Sequence, residues 1–238
     1  MSTFLDKCPA KVLKSTGIGK VFQDAIFPSV LFLPSLTPEA ESIQIMQPAY
    51  RALIILAEKD PDTSSPTRRL LLDSIIREGI LTAYDHASSY IHVVETLLRT
   101  LATVVNCLGV YTVKHLQTLL PTISTVMTDP FVVSHPPALL EATKALQAIL
   151  ANCWPRICQG GYADEVTRII ATCWLNIQDD EVDSLVLPGL LGELKKLASM
   201  LRSIQHAQGD KTVPRVEEIL KAEPKLRELF STTQAGAT

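Results

Sequence analysis

Apolar residues recur three and four positions apart along almost the whole chain, and apolar–polar alternation of strand length occurs nowhere. A chain with that one period buries its apolar faces by packing helix on helix, because a sheet needs period-two segments. Glycine usage agrees. Ten glycines in 238 residues are too few for the turns and phosphate loops of an all-β or dinucleotide-binding fold. The class is all-α.

Proline, glycine and polar clusters divide the pattern into eight long helices. The first covers about 18–33, the second opens at Thr37-Pro38-Glu39 and runs to about Lys59, and the third runs from Ser65-Pro66 to about His86. Ser88-Ser89 should cap a fourth, which Gly109 closes, and Thr112 should cap a fifth that ends near Met127. A turn from Asp129-Pro130 to Pro137 precedes a sixth ending near Trp154, and Gly160-Gly161 separates it from a seventh ending near Ile177. Gln178 to Asp183 introduces an eighth reaching about Gln205. After Gly209 the pattern weakens into two short helical pieces and a Gly/Ala/Thr tail.

Pro28 and Pro121 both fall inside predicted helices, each followed by a polar-Pro turn, and they lie 93 residues apart. That is two periods of about 46, in the range of two-helix HEAT repeats. The expected architecture is a HEAT-like α-solenoid of about four antiparallel helix pairs over 1–205, followed by short helices and a frayed tail over 206–238. A compact four-helix arrangement is the alternative.

Charge is the second informative feature. The net charge is −3, without the basic surplus of a nucleic-acid binder. Between Leu101 and Ala163 the only charged residues are Lys114, Asp129, Glu141, Lys144 and Arg156, against 20% for the whole chain. The fifth helix has an apolar stripe at Leu116, Leu119, Leu120, Ile123 and Met127, which places Lys114, Thr118, Pro121 and Thr125 outward. The sixth has Leu139, Leu146, Ile149, Leu150 and Cys153 inward, with Glu141, Lys144, Ala148 and Asn152 opposite. Surfaces that face water usually carry more Lys and Glu, and interface cores are depleted of charge. The expected partner-binding residues are Lys114, Thr118, Thr125, Glu141, Lys144, Ala148 and Arg156; burial on both faces of these helices is the competing explanation.

Motifs for catalysis or cofactor binding are wanting. Thr16-Gly17-Ile18-Gly19-Lys20 lacks the earlier glycine and the following Ser or Thr of a phosphate loop, and reads as a helix-start turn. Cys153, Cys158 and Cys173 have neither the spacing nor the fourth ligand of a zinc site, and they read as buried thiols. His92 with Glu95, and Asp85 with His86, have no nucleophile beside them. Asp179, Asp180, Glu181 and Asp183 lack the glycine and terminal glutamate of a calcium loop. No enzyme activity, metal or cofactor is expected. The five cysteines, at irregular spacings, suit a reducing compartment. The N-terminus has no signal-peptide pattern, and the apolar run 26–36 is too short and too proline-broken to span a membrane.

Several fragments resemble the Tel-two-interacting protein two family. They are Gly17-Ile-Gly-Lys-Val-Phe-Gln-Asp-Ala-Ile-Phe-Pro28, Leu33 to Pro38, Ile76-Arg-Glu-Gly-Ile80, Val113-Lys-His-Leu116, Thr128-Asp-Pro-Phe131, Asn152-Cys-Trp-Pro-Arg-Ile157 and Cys173-Trp-Leu-Asn-Ile177. They stand in the family's order between about Lys11 and Asp179; beyond Val182 no resemblance is found. Members of that family are about twice this length, so the chain resembles a C-terminal portion. The resemblance implies a non-catalytic α-solenoid subunit of the Triple T complex, with Tel-two and the first Tel-two-interacting protein as partners. It further implies work with the Hsp-ninety chaperone and its adaptors on phosphatidylinositol-3-kinase-related kinases, in the cytoplasm and the nucleus. Nucleic acid and membrane are not expected partners. The alternatives are a HEAT-type transport or trafficking adaptor and an unrecognised helical enzyme.

Overall fold

Every mid-helix proline in the described part of the chain solves the same local problem in the same way. Pro48, Pro121 and Pro155 lie inside helices, where each leaves the carbonyl four residues back without its usual N–H. The residues carrying those carbonyls, Gln44, Gln117 and Ala151, are all exposed, so water hydrates the orphan oxygen and the helix continues. The computed structural model describes residues 5, 7–9, 12–13, 16–17, 20–21, 24–25, 37–180, 185–207 and 213–230, and within them there are helices and no strand. The described part is all-helical. The expected mid-helix Pro28 lies outside the described residues, as do most of the first predicted helix and the tail after Phe230.

The chain divides into two compact units, Met1–Tyr111 and Thr112–Thr238. In the first, α1 (Glu39–Glu58) is followed by α2 (Pro66–Ser74), a π-helical segment Ile75–Leu81, α3 (Thr82–Ala87) and α4 (Ile91–Leu108). The π segment interrupts what the sequence presents as one helix. Its wider turns, one residue longer than α-helical ones, leave apolar spacing almost unchanged and bury Ile75, Ile76, Gly79 and Ile80. The expected cap at Ser88-Ser89 is absent: Tyr90 occupies the cap position, with no side-chain cap bond. Instead Glu39, in the first turn of α1, accepts the His92 backbone N–H at 2.9 Å. A helix start is thus satisfied from 53 residues away. At the opposite end Glu58 accepts from the Cys107 thiol at 3.6 Å, so α1 and α4 run parallel. Gly109 closes α4 at φ 62°, as expected.

In the second unit, α5 (Leu116–Thr128), a 3-10 turn Pro130–Ser134, α6 (Pro136–Gln159), α7 (Tyr162–Asp179) and α8 (Leu187–Ala207) are followed by α9 (Val213–Ala222), a 3-10 turn Pro224–Leu226 and α10 (Arg227–Phe230). Thr112 does not cap α5. It lies in the 3-10 turn Gly109–His115, buried, with its hydroxyl unpartnered. The sixth helix runs on past Trp154 and through Pro155 to Gln159. Both α6 and α7 pack on α8, and α5 packs on α6 and α7. Asn176 Nδ2 donates to the Thr128 carbonyl (3.1 Å) and Arg168 Nη2 to Ser124 Oγ (3.2 Å), which makes α5 and α7 parallel. Gln147 Nε2 ties α6 to α8 through the Glu193 carbonyl and carboxylate, at 2.9 and 2.7 Å. Trp174, expected in the core, is fully buried there.

Candidate partner-binding surface

The expected stripe of α5 is all buried: Leu116, Leu119, Leu120, Ile123 and Met127. The opposite face carries Gln117, Thr118, Pro121 and Thr125, all exposed, with Thr122 half-buried beside them. No residue of that strip is charged. The threonine hydroxyls also bond inward: Thr122 donates to the Thr118 carbonyl (2.9 Å), Thr125 to that of Pro121 (3.0 Å) and Thr128 to that of Ser124 (2.8 Å). With the O–H committed to its own helix, each offers a partner a methyl group and an acceptor, and no donor. Lys114 stands exposed just before the helix. Past its end Phe131 is 84% exposed, held in a turn where Asp129 Oδ1 accepts the Phe131 N–H at 2.9 Å. Phe131 lies outside the helical spacing pattern. The Asp-Pro turn, which starts a new direction with no apolar stripe behind it, was the signal available.

α6 departs from the expectation. Glu141 and Ala148, placed outward by their position opposite the stripe, are only 7% and 6% exposed. Thirteen of its residues, including Thr143 and Ala145, are buried. The physical reason is its neighbours: α5, α7 and α8 all pack on it, so its middle turns keep only a half-buried edge at Lys144 and Gln147. Glu141 is paired with Lys144 Nζ at 3.0 Å, and Lys144 and Asn152 are half-buried. Only the last turns emerge, with Arg156 exposed and Trp154 41% exposed. The structure therefore gathers Thr118 and Thr125 on one strip with Lys114 before it, leaves Arg156 at the surface on α6, and takes Glu141 and Ala148 inside.

Several candidates for chemistry resolve into structural roles. Gly17 has φ 67° and its carbonyl accepts from the N–H groups of Lys20 and Val21, a helix start. Cys153, Cys158 and Cys173 form no disulfide, and Cys158 is half-buried. Burial pushes Cys153 up to about 11 and Cys173 up to about 12, so both stay protonated and inert at neutral pH. Asp179 pairs with Lys225; Glu181 and Asp183 lie outside the described residues. A cleft of about 470 Å³ between α1 and α4 is lined by Gln47, Tyr50, Arg51, Glu58, Thr96 and Arg99, among others. Its one strongly perturbed group is the Tyr50 phenol, which burial drives above its ordinary value. That keeps the phenol neutral and removes it as a base.

A comparison with family models settles what kind of chain this is: the model of the Tti2 family matches residues 1–134, more than half of it. The chain belongs to the Tti2 family. No curated protein and no solved structure matches it. Membership of the Tti2 family brings the general role of a subunit in the Triple T complex, and the family is of non-catalytic scaffold type. The matched span includes the first unit and the whole of α5, and so the threonine strip; α6 and everything after it lie beyond the match.

Proposed function

We propose that this protein is a non-catalytic, HEAT-like scaffold of a Triple T-like co-chaperone assembly, which helps mature and stabilise phosphatidylinositol-3-kinase-related kinases with the Hsp-ninety system. Family membership supports the assembly, and the parallel next-but-one helices support the repeat reading. The side-chain ties between such helices join residues 44 to 53 apart, bracketing the period of about 46 that the prolines suggest. Tel-two and the first Tel-two-interacting protein are the proposed partners, and the cytoplasm and nucleus the proposed compartments.

The observation that carries the docking site is the uncharged strip of α5. Lys114, Thr118 and Thr125 form its proposed contact set, with the larger partner subunit as the occupant. Glu141 and Ala148 leave that set because they are buried; Lys144 and Arg156 stay as secondary candidates on α6. The test is the Thr118→Glu/Thr125→Glu variant, co-purified with each proposed partner and melted alone. Unchanged melting with lost co-purification supports the site, because desolvated carboxylates without counter-charges weaken an interface strongly. Retained co-purification rules the strip out. Depleting the protein and following steady-state kinase levels, with the intact chain and this variant as rescue, tests the co-chaperone role separately.

A further inference from the structure

The last described segment of the second unit is bound in the manner of a ligand. After α9, the turn Pro224–Leu226 and the four-residue α10 bury Leu226, Leu229 and Phe230, a spacing of i, i+3 and i+4. That is the anchor pattern of an amphipathic helix seated in a groove. The groove is made by both long helices beneath it. From α7, Trp174 Nε1 donates to the Lys225 carbonyl at 3.0 Å, and Asp179 pairs with the Lys225 ammonium. From α8, Lys195 pairs with Glu228 at 2.8 Å, and Arg202 donates to the Phe230 carbonyl. The Lys195 ammonium also lies 5.6 Å from the centroid of the Trp174 ring. Charge complementarity runs along the whole seat: an anion meets the cation before the anchors, and a cation meets the anion between them. Arg202 closes the C-terminal end, where the final carbonyls of a helix have no internal partner.

Two features make the attachment separable from the fold beneath. The ion pairs are largely exposed, with Lys225 and Asp179 each more than half accessible, and such pairs hold weakly. A helix of four residues cannot stand by propagation alone. We infer that the α7–α8 groove is a helix-binding site occupied in cis by the chain's own Glu223–Phe230 segment, which opens while α5 to α8 stay folded.

Hydrogen exchange on the intact chain tests the opening. Backbone amides of Leu226–Phe230 should exchange at least tenfold faster than the buried amides of α6; exchange of both together overturns the inference. Occupancy is tested with a fluorescent peptide of residues 218–230 added to the chain. The Leu226→Ala/Phe230→Ala chain, its own anchors removed, should bind the peptide at least tenfold tighter than the unaltered chain. A peptide carrying Lys225→Glu and Glu228→Lys should bind more weakly to it. Equal binding to both chains, or indifference to charge reversal, overturns the cis-ligand reading. If the anchor variant does not fold, the segment belongs to the core and the inference fails on that result as well.

Discussion

α5 and α6 stand side by side in the sequence, are both poor in charge, and come by that poverty for opposite reasons. α6 has little charge because three helices pack on it, so most of its polar-side positions are wholly or half buried. α5 has one face buried and one open, and the open face is uncharged while still accessible. Depletion of charge is therefore two signals. Over α6 it reports interior packing; over α5 it marks a surface that the solvent requirement alone does not explain.

The sharpest way to break this contrast is a matched carboxylate. Ala148→Glu should cost about 4–5 kcal/mol, since it puts an unpaired charge into a packed site; chemical denaturation reads this as a collapsed midpoint. An unchanged midpoint would return Ala148 to the surface and erase the difference between the helices. Alkaline titration comes next. The Cys153 thiol of α6 holds its proton to about 11 in the folded chain and Cys173 of α7 to about 12, whereas an unfolded thiol releases it near 8.5. The raised values favour the folded state below the unfolded pKa and lose that advantage as pH climbs towards the folded one. Stability should fall above about pH 9 by up to about 1.4 kcal/mol per pH unit for each thiol. Substituting both by alanine should lessen that slope by the two thiols' share, leaving what the buried Tyr50 phenol and the Cys107 thiol add; an unaltered slope means these two thiols do not cause it. Glu141→Gln is milder. It removes the charge from a half-accessible pair with Lys144 and should cost about 1 kcal/mol, a small shift in melting that high salt should shrink. Smallest of all, Thr118→Glu/Thr125→Glu should change stability by no more than about 0.5 kcal/mol. A large loss there would show that α5 is covered on both faces like its neighbour.

What the sequence made legible follows from what spacing encodes. A 3.6-residue period shows which face of a helix is buried first, and Leu116 through Met127 obey it. It says nothing about whether a second or third helix covers the rest, which is why Glu141 and Ala148 read as outward until α8 is in place. The π segment Ile75–Leu81 escaped because one inserted residue barely disturbs an apolar run. The start of α4 escaped because its cap comes from Glu39, far away in the chain, while Ser88 and Ser89 only look the part. Thr112 misled for a related reason: a threonine after a glycine fits the cap pattern, yet the 3-10 turn takes it inside. Trp174, Cys153 and Cys173 were readable since they lie on stripes that only burial explains, whereas Cys158, expected buried with them, is only half-buried.

The inward-bonded threonines of α5 have a calorimetric consequence. Covering a surface usually strips water from donors that must find new partners, and the heat of that exchange dominates the signal. Here the Thr122 and Thr125 hydroxyl protons already have partners within the helix, so contact displaces water mainly from methyl groups, the Pro121 ring and Phe131, with the exposed Gln117 amide as a donor that must find a new partner. Association through this strip should show a clearly negative change in heat capacity, a modest enthalpy near room temperature, and almost no dependence on ionic strength beyond what Lys114 contributes.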